Sequence, residues 1–155
     1  MIALLLMLAS LDTAHPGEEP VDPYEMRDAN AGATSFHDPH LLAAFHGREG
    51  ITRIANGLVD IAIADPRIAE IFKGQDIVRL RRTIGEQFCY ILGGGCSYTG
   101  RDMKAAHKDL GIQTADFNAL VEDLQKAMRN EGVPFRAQNR LLAKLAPMKR
   151  DAVER

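Results

Sequence analysis

The chain has 155 residues, 46% of them hydrophobic and 26% charged, with a formal net charge of −2, no tryptophan and only 6% aromatics. That is room for one domain of ordinary soluble composition. It lacks the basic footprint of a nucleic-acid binder, and no cluster of Lys or Arg points to an anionic membrane surface. A core drawn mainly from Leu, Ile, Val, Met and Ala favours helices over strands.

Ile2 to Leu8 is an unbroken apolar run, continued by Ala9, Ser10 and Leu11. It is shorter than the roughly 20 residues a bilayer-spanning helix needs, so no stable membrane span is expected. It is long enough for the apolar region of a secretory signal. No Lys or Arg precedes it and no small-x-small cleavage site follows. A misplaced start codon or a helix that packs on a partner therefore stays open beside export. Residues 1–14 read as an apolar leader, implying a periplasmic or exported protein, with the cytoplasm as the alternative. Residues 15–39 carry Pro16, Pro20, Pro23 and Pro39 among several acids, with no apolar periodicity, and read as a flexible tether. The spacing of His15, His37 and His40 fits no compact metal site.

The folded domain is expected over 40–155. Leu41, Leu42 and Phe45 mark a short first helix, interrupted by Gly47. Ile51, Ile54, Leu58, Ile61 and Ala62 then recur at helical spacing. Asp65-Pro66 predicts a capped short helix to Phe72. Over Asp76 to Leu92, residues Ile77, Leu80, Ile84, Phe88 and Ile91 share one narrow face, with Arg79, Arg81, Arg82 and Glu86 away from it. Gly93-Gly94-Gly95 ends that helix, because three glycines lose too much backbone entropy to stay helical. Tyr98 to His107 follows and places one histidine on a short helical segment. Thr114 is expected to cap a helix with Phe117, Leu120, Val121, Leu124, Ala127 and Met128 on its core face. Gly132-Val133-Pro134 separates it from a last helix carried by Leu141, Leu142, Leu145 and Met148. No useful period-2 strand appears, so the fold class is all-α. On pattern alone His107 reads as a surface or capping residue, and the stripe from Ile77 to Ile91 as plain core.

Several motifs together carry a family likeness: Phe72, Leu92-Gly93-Gly94 followed by Tyr98-Thr99-Gly100, Met103 four residues before His107, and Gly132-Val133-Pro134. In that order and spacing the chain resembles a group I truncated haemoglobin over about residues 41–153. The resemblance implies a two-over-two helical sandwich around a b-type haem, with His107 as the proximal iron ligand. It implies that Phe72 packs on the porphyrin and that Leu80, Ile84 and Phe88 line the distal side. Met103, Ile112, Phe117, Leu120 and Leu145 would contact haem or close the pocket. No Cys-x-x-Cys-His occurs, so covalent attachment of the c type is excluded.

The likeness breaks on the distal side. The second-helix position at which many group I members carry a tyrosine is Val59, preceded by Leu58. The long-helix positions often held by glutamine are Leu80 and Ile84. A hydrogen bond to the partial negative charge of bound O₂ is worth about 1.5–3 kcal/mol. Without it O₂ should leave about one to two orders of magnitude faster, while NO and CO lose less. Gln87 falls on the same helix face, either as a substitute donor or, the preferred reading, bonded to backbone or solvent. Thr83 is a weaker candidate. Arg79 and Arg82 either pair with haem propionates or are solvated.

Cys89 and Cys96 flank the triple glycine, and a reversal there can bring them within disulfide range. A disulfide fits an exported protein, two buried thiols a cytosolic one. Three function classes remain in play. The first is a haem protein binding a diatomic gas. The second is a haem redox protein (electron transfer, NO dioxygenation or peroxidase-like activity), with a reductase as its implied partner. The third is a haem-free interaction module, against which His107 argues.

Overall fold

A computed structural model describes residues 15–154. The apolar leader, residues 1–14, lies outside the described residues. Seven α-helices follow in order: α1 (Pro39–Ala44), α2 (Gly47–Ala64), α3 (Ile77–Ile91), α4 (Met103–Ala106), α5 (Thr114–Asn130), α6 (Phe135–Leu145) and α7 (Lys149–Ala152). Among the described residues there is no strand, as the composition requires. No helix among them is long and apolar enough to cross a membrane.

The sandwich is organised by α2, which packs against both α3 and α5. Ile51, Ile54, Ala55, Leu58, Val59 and Ala62 all fall on the buried face of α2. Their spacing of three and four residues makes one apolar stripe of the kind a helix presents to a core. Phe88 and Ile91 from α3, Leu124, Ala127 and Met128 from α5, and Leu141 from α6 complete that core.

Helix ends follow local chemistry. The Asp38 carboxylate accepts from the backbone N–H groups of His40 and Leu41, and Asp76 does the same for Arg79 at the start of α3. Two boundaries differ from expectation. Thr114 does not cap α5; Gln113 stands one residue earlier, its N–H bonded to the Asp116 carboxylate at 2.8 Å. The Asp65-Pro66 start yields only a 3-10 turn at Ala69–Phe72, because Ile68 leaves helical geometry at φ −135°. The Asp65 carboxylate accepts from Arg67 N as a cap would, but a full helix does not follow.

Residues 15–39 differ most from the tether read in the sequence. This segment lies along α3 and the stretch beyond the triple glycine. Phe36 N–H donates to Ile91 O at 2.7 Å, Ser35 Oγ to Tyr90 O at 2.7 Å, and Lys144 Nζ to Thr34 Oγ1 at 2.9 Å. Gly93, at φ +79°, lies under this contact: a Cβ there would collide with the Phe36 carbonyl. The turn after α3 therefore needs glycine both for its left-handed backbone and for the close approach of the N-terminal segment.

Candidate functional site

Between α2, α3, α5 and the α4 region lies a cavity of about 490 Å³. All ten residues expected around a cofactor line it: Phe72, Leu80, Ile84, Phe88, Met103, His107, Ile112, Phe117, Leu120 and Leu145. Seven of them (Phe72, Leu80, Ile84, His107, Phe117, Leu120 and Leu145) are only half-buried. Apolar side chains gathered around a space of this size suit a large flat hydrophobic ligand. Each Å² they bury on it contributes about 25 cal/mol.

His107 ends α4. Its placement begins with Asp102, whose carboxylate caps that short helix by accepting from Ala105 N at 2.8 Å. Met103 is buried as the first helical residue, and its carbonyl lies 2.6 Å from His107 Nδ1. A carbonyl only accepts, so Nδ1 carries the proton and Nε2 keeps its lone pair. That is the tautomer a metal-binding imidazole needs, held by the type of backbone contact that fixes ring orientation in metal sites. Among the described residues no group of three or more His, Cys, Asp or Glu side chains could hold a metal. A metal at His107 would thus have at most one further ligand of these types and take its remaining coordination from a cofactor. A cavity of this size with one such imidazole fits haem.

The α2 and α3 side of the cavity is apolar where donors were looked for. Leu58 and Val59 are buried and line it with Leu80 and Ile84. Gln87 also lines it, but its Nε2 donates to Ala31 O at 2.9 Å and lies 3.3 Å from Met103 Sδ. This matches the preferred reading of Gln87 as bonded to backbone, with the partner supplied by the N-terminal segment. Thr83 Oγ1 donates back to Arg79 O at 3.0 Å. Arg82 is not among the cavity-lining residues. Its guanidinium is taken by Glu18, Glu86 and Thr99, which corrects its reading as a propionate or solvated arginine. Arg79 does line the cavity, with Tyr24 and Glu18 as its partners.

Tyr98 and Pro20-Val21 also line the cavity and were not anticipated there. Tyr98 is buried, its hydroxyl donating to Arg101 O at 2.8 Å, and burial pushes its phenol up from the ordinary range. It stood in the motif that carries the likeness, so its sequence signal was available. Pro20 and Val21 gave none. Cys89 and Cys96 are joined by a disulfide, their Cα atoms 5.7 Å apart, which ties the end of α3 to the segment leading to Tyr98 and His107.

The Bacterial-like globin family model matches residues 41–154. The group 1 truncated hemoglobin of Mycolicibacterium paratuberculosis is 29% identical over 102 residues, covering 66% of this chain and 75% of that protein. That of Chlamydomonas moewusii is 32% identical over 95 residues, covering 60% of this chain and 56% of that protein. Two solved structures share the fold. The Fe(III) form of truncated hemoglobin from Tetrahymena pyriformis superposes with a TM-score of 0.70 at 22% identity, over 74% of this chain and 98% of that one. A 2/2 hemoglobin from Synechococcus, solved in the cyanomet state with covalently attached heme, gives 0.68 at 21% identity, over 74% and 98%. With the helical sandwich and the histidine-bearing cavity already in place, the family match leaves one assignment: this chain belongs to the bacterial-like globins and is similar to their group 1 truncated haemoglobins.

Proposed function

We propose that the protein is a b-type haem protein that binds a diatomic gas (O₂, NO or CO) at an iron held by His107, with weak or fast-exchanging O₂ binding. The observation that carries this reading is the His107 imidazole at the cavity wall, its Nδ1–H donating a hydrogen bond to Met103 O and its Nε2 lone pair kept. When bound, haem would supply an iron that takes the His107 imidazole as its protein ligand and can bind a small gas molecule. The chain orients the imidazole through the Met103 carbonyl and excludes water with the apolar walls around Phe88 and Leu120. Val59, Leu80 and Ile84 offer a gas ligand no hydrogen bond, so a polar-bound ligand such as O₂ gains least here.

Among the described residues His107 is the one histidine lining the cavity and no cysteine lines it, and the proposal is of non-covalent haem. The covalent attachment in the Synechococcus structure belongs to that protein. The Cys89–Cys96 disulfide supports an exported protein, since such bonds persist in oxidising compartments.

Titration of haem into the purified chain tests the reading, with spectra taken ferric, ferrous and under CO. A Soret band saturating at one haem per chain, and altered or lost in His107→Gly, is the expected result. Unchanged spectra in that variant would remove His107 from the iron. A six-coordinate ferrous spectrum without added gas would move the reading to redox chemistry.

A further inference from the structure

We propose that residues 18–31 form a clasp that ties the two walls of the cofactor cavity together at its solvent edge and sets how fast the cofactor leaves. The proposal rests on the haem reading above. The segment precedes the part of the chain matched by the globin family, so it is an addition to that fold.

One end of the clasp grips α3. The Glu18 side chain is only 2% exposed and pairs with Arg82 through both carboxylate oxygens, with Arg79 Nη1 3.5 Å away. A carboxylate this desolvated persists only when it is fully paired. Arg82 in turn holds Glu86 and Thr99, and pairing lowers the Glu18 pKa. The other end grips the stretch leading to His107. The Asp28 carboxylate accepts from Tyr98 N at 2.8 Å, and Asn30 Nδ2 donates to Gly100 O at 3.4 Å. Tyr24 joins the two. Its ring centroid lies 5.7 Å from the Arg79 guanidinium and 5.3 Å from that of Arg101. Its hydroxyl accepts from Arg79 Nη2 at 2.6 Å and donates to Thr99 O. At the inner end, Ala31 O receives the Gln87 amide from α3.

Between these anchors Glu19, Pro20 and Val21 line the cavity itself. Glu19 N–H donates to the Asp76 carboxylate at 2.7 Å, which fixes this stretch over the start of α3. A flat cofactor passing this edge must part α3 from the 98–101 stretch, and the clasp bonds resist that. The arginines here are already occupied by Glu18, Glu86 and Tyr24, and Glu19 and Asp76 add negative charge. The clasp therefore acts by joining walls rather than by attracting the cofactor's carboxylates.

The test is haem transfer from the full chain to excess apomyoglobin, followed at the Soret band. Glu18→Gln and Tyr24→Ala are expected to lose haem about tenfold faster, the effect of one charge-assisted hydrogen bond lost across the opening. Tyr24→Phe keeps the ring and removes the bridging hydroxyl, and should fall between Tyr24→Ala and the parent chain. Arg53→Gln breaks a comparable ion pair with Glu131, away from the cavity, and serves as the stability control. Its transfer rate should match the parent even where its thermal midpoint drops. Equal rates for all variants with a normal Soret band would overturn the clasp alone. So would acceleration in Arg53→Gln as large as in Glu18→Gln, because the effect would then be general destabilisation. Absence of any Soret band in the parent chain would overturn the haem reading and the clasp with it.

Discussion

The His107 wall and the α2–α3 wall of the cavity treat their polar groups in opposite ways. On the His107 side one polar contact is spent to make another group available: Nδ1–H donates a hydrogen bond to Met103 O and Nε2 keeps its lone pair. On the α2–α3 side Gln87 and Thr83 are turned to the backbone, at Ala31 and Arg79, and the Arg79 guanidinium to Tyr24 and Glu18, while Val59, Leu80 and Ile84 have no donor to give. The difference underlies the proposal of a cofactor held firmly on one side of the cavity and a gas ligand held loosely on the other.

Breaking the His107 side should have the largest effect. His107→Gly is expected to abolish the native Soret spectrum, and added imidazole should restore it by filling the space of the missing ring. Restoration separates a lost iron ligand from a misfolded chain, because free imidazole repairs only the former. Haem binding and spectra unaffected by the substitution would contradict the contrast between the walls.

Making the α2–α3 side resemble the other is the second test. Val59→Tyr places a hydroxyl donor where the wall has none, and O₂ dissociation should slow by about ten- to a hundredfold. CO dissociation should change much less. Stopped-flow displacement of O₂ by CO reads the first rate directly. A parent chain that already releases O₂ slowly would show that the apolar wall is not what governs the ligand.

The long helix α3 could be read from sequence because each of its signals is local. Asp76 caps it, Ile77 to Ile91 stripe one face, and the triple glycine stops it. His107 is different: the role proposed for it follows from the order of distant motifs, since a histidine four residues after a methionine has no distinctive pattern of its own. The structure adds the Met103 carbonyl contact, which no spacing rule contains. The docking of residues 15–39 is not legible in the sequence because many of its contacts are polar and distant, Glu18, Tyr24, Asp28 and Asn30 each meeting a residue more than 50 positions away. Prolines and acids without periodicity look solvated, and nothing local distinguishes a buried Glu18 from an exposed Glu19.

Gln87 gives a smaller and sharper test. Gln87→Leu removes the donor for Ala31 O and should cost about 1–3 kcal/mol of stability, read by thermal or urea unfolding. O₂ dissociation should stay within about twofold of the parent, since the amide is already bonded to the backbone. Slower or faster O₂ release of an order of magnitude would instead put Gln87 in contact with the ligand.

The smallest expected effect concerns acid and the clasp between the walls. Glu18 has a pKa lowered from 4.5, chiefly by its hydrogen bond from Arg82. A carboxyl whose folded value lies below its unfolded value adds stability that is present above 4.5 and lost as pH falls through the lowered folded value. Haem loss from the parent should therefore accelerate on acidification as Glu18 is protonated and released from Arg82. Glu18→Gln lacks that contribution at every pH. The ratio of its haem-loss rate to that of the parent should be greatest near neutrality and shrink toward one as pH falls below 4.5. A ratio that stays constant across that range would mean that the Glu18 charge has no part in holding the two walls together.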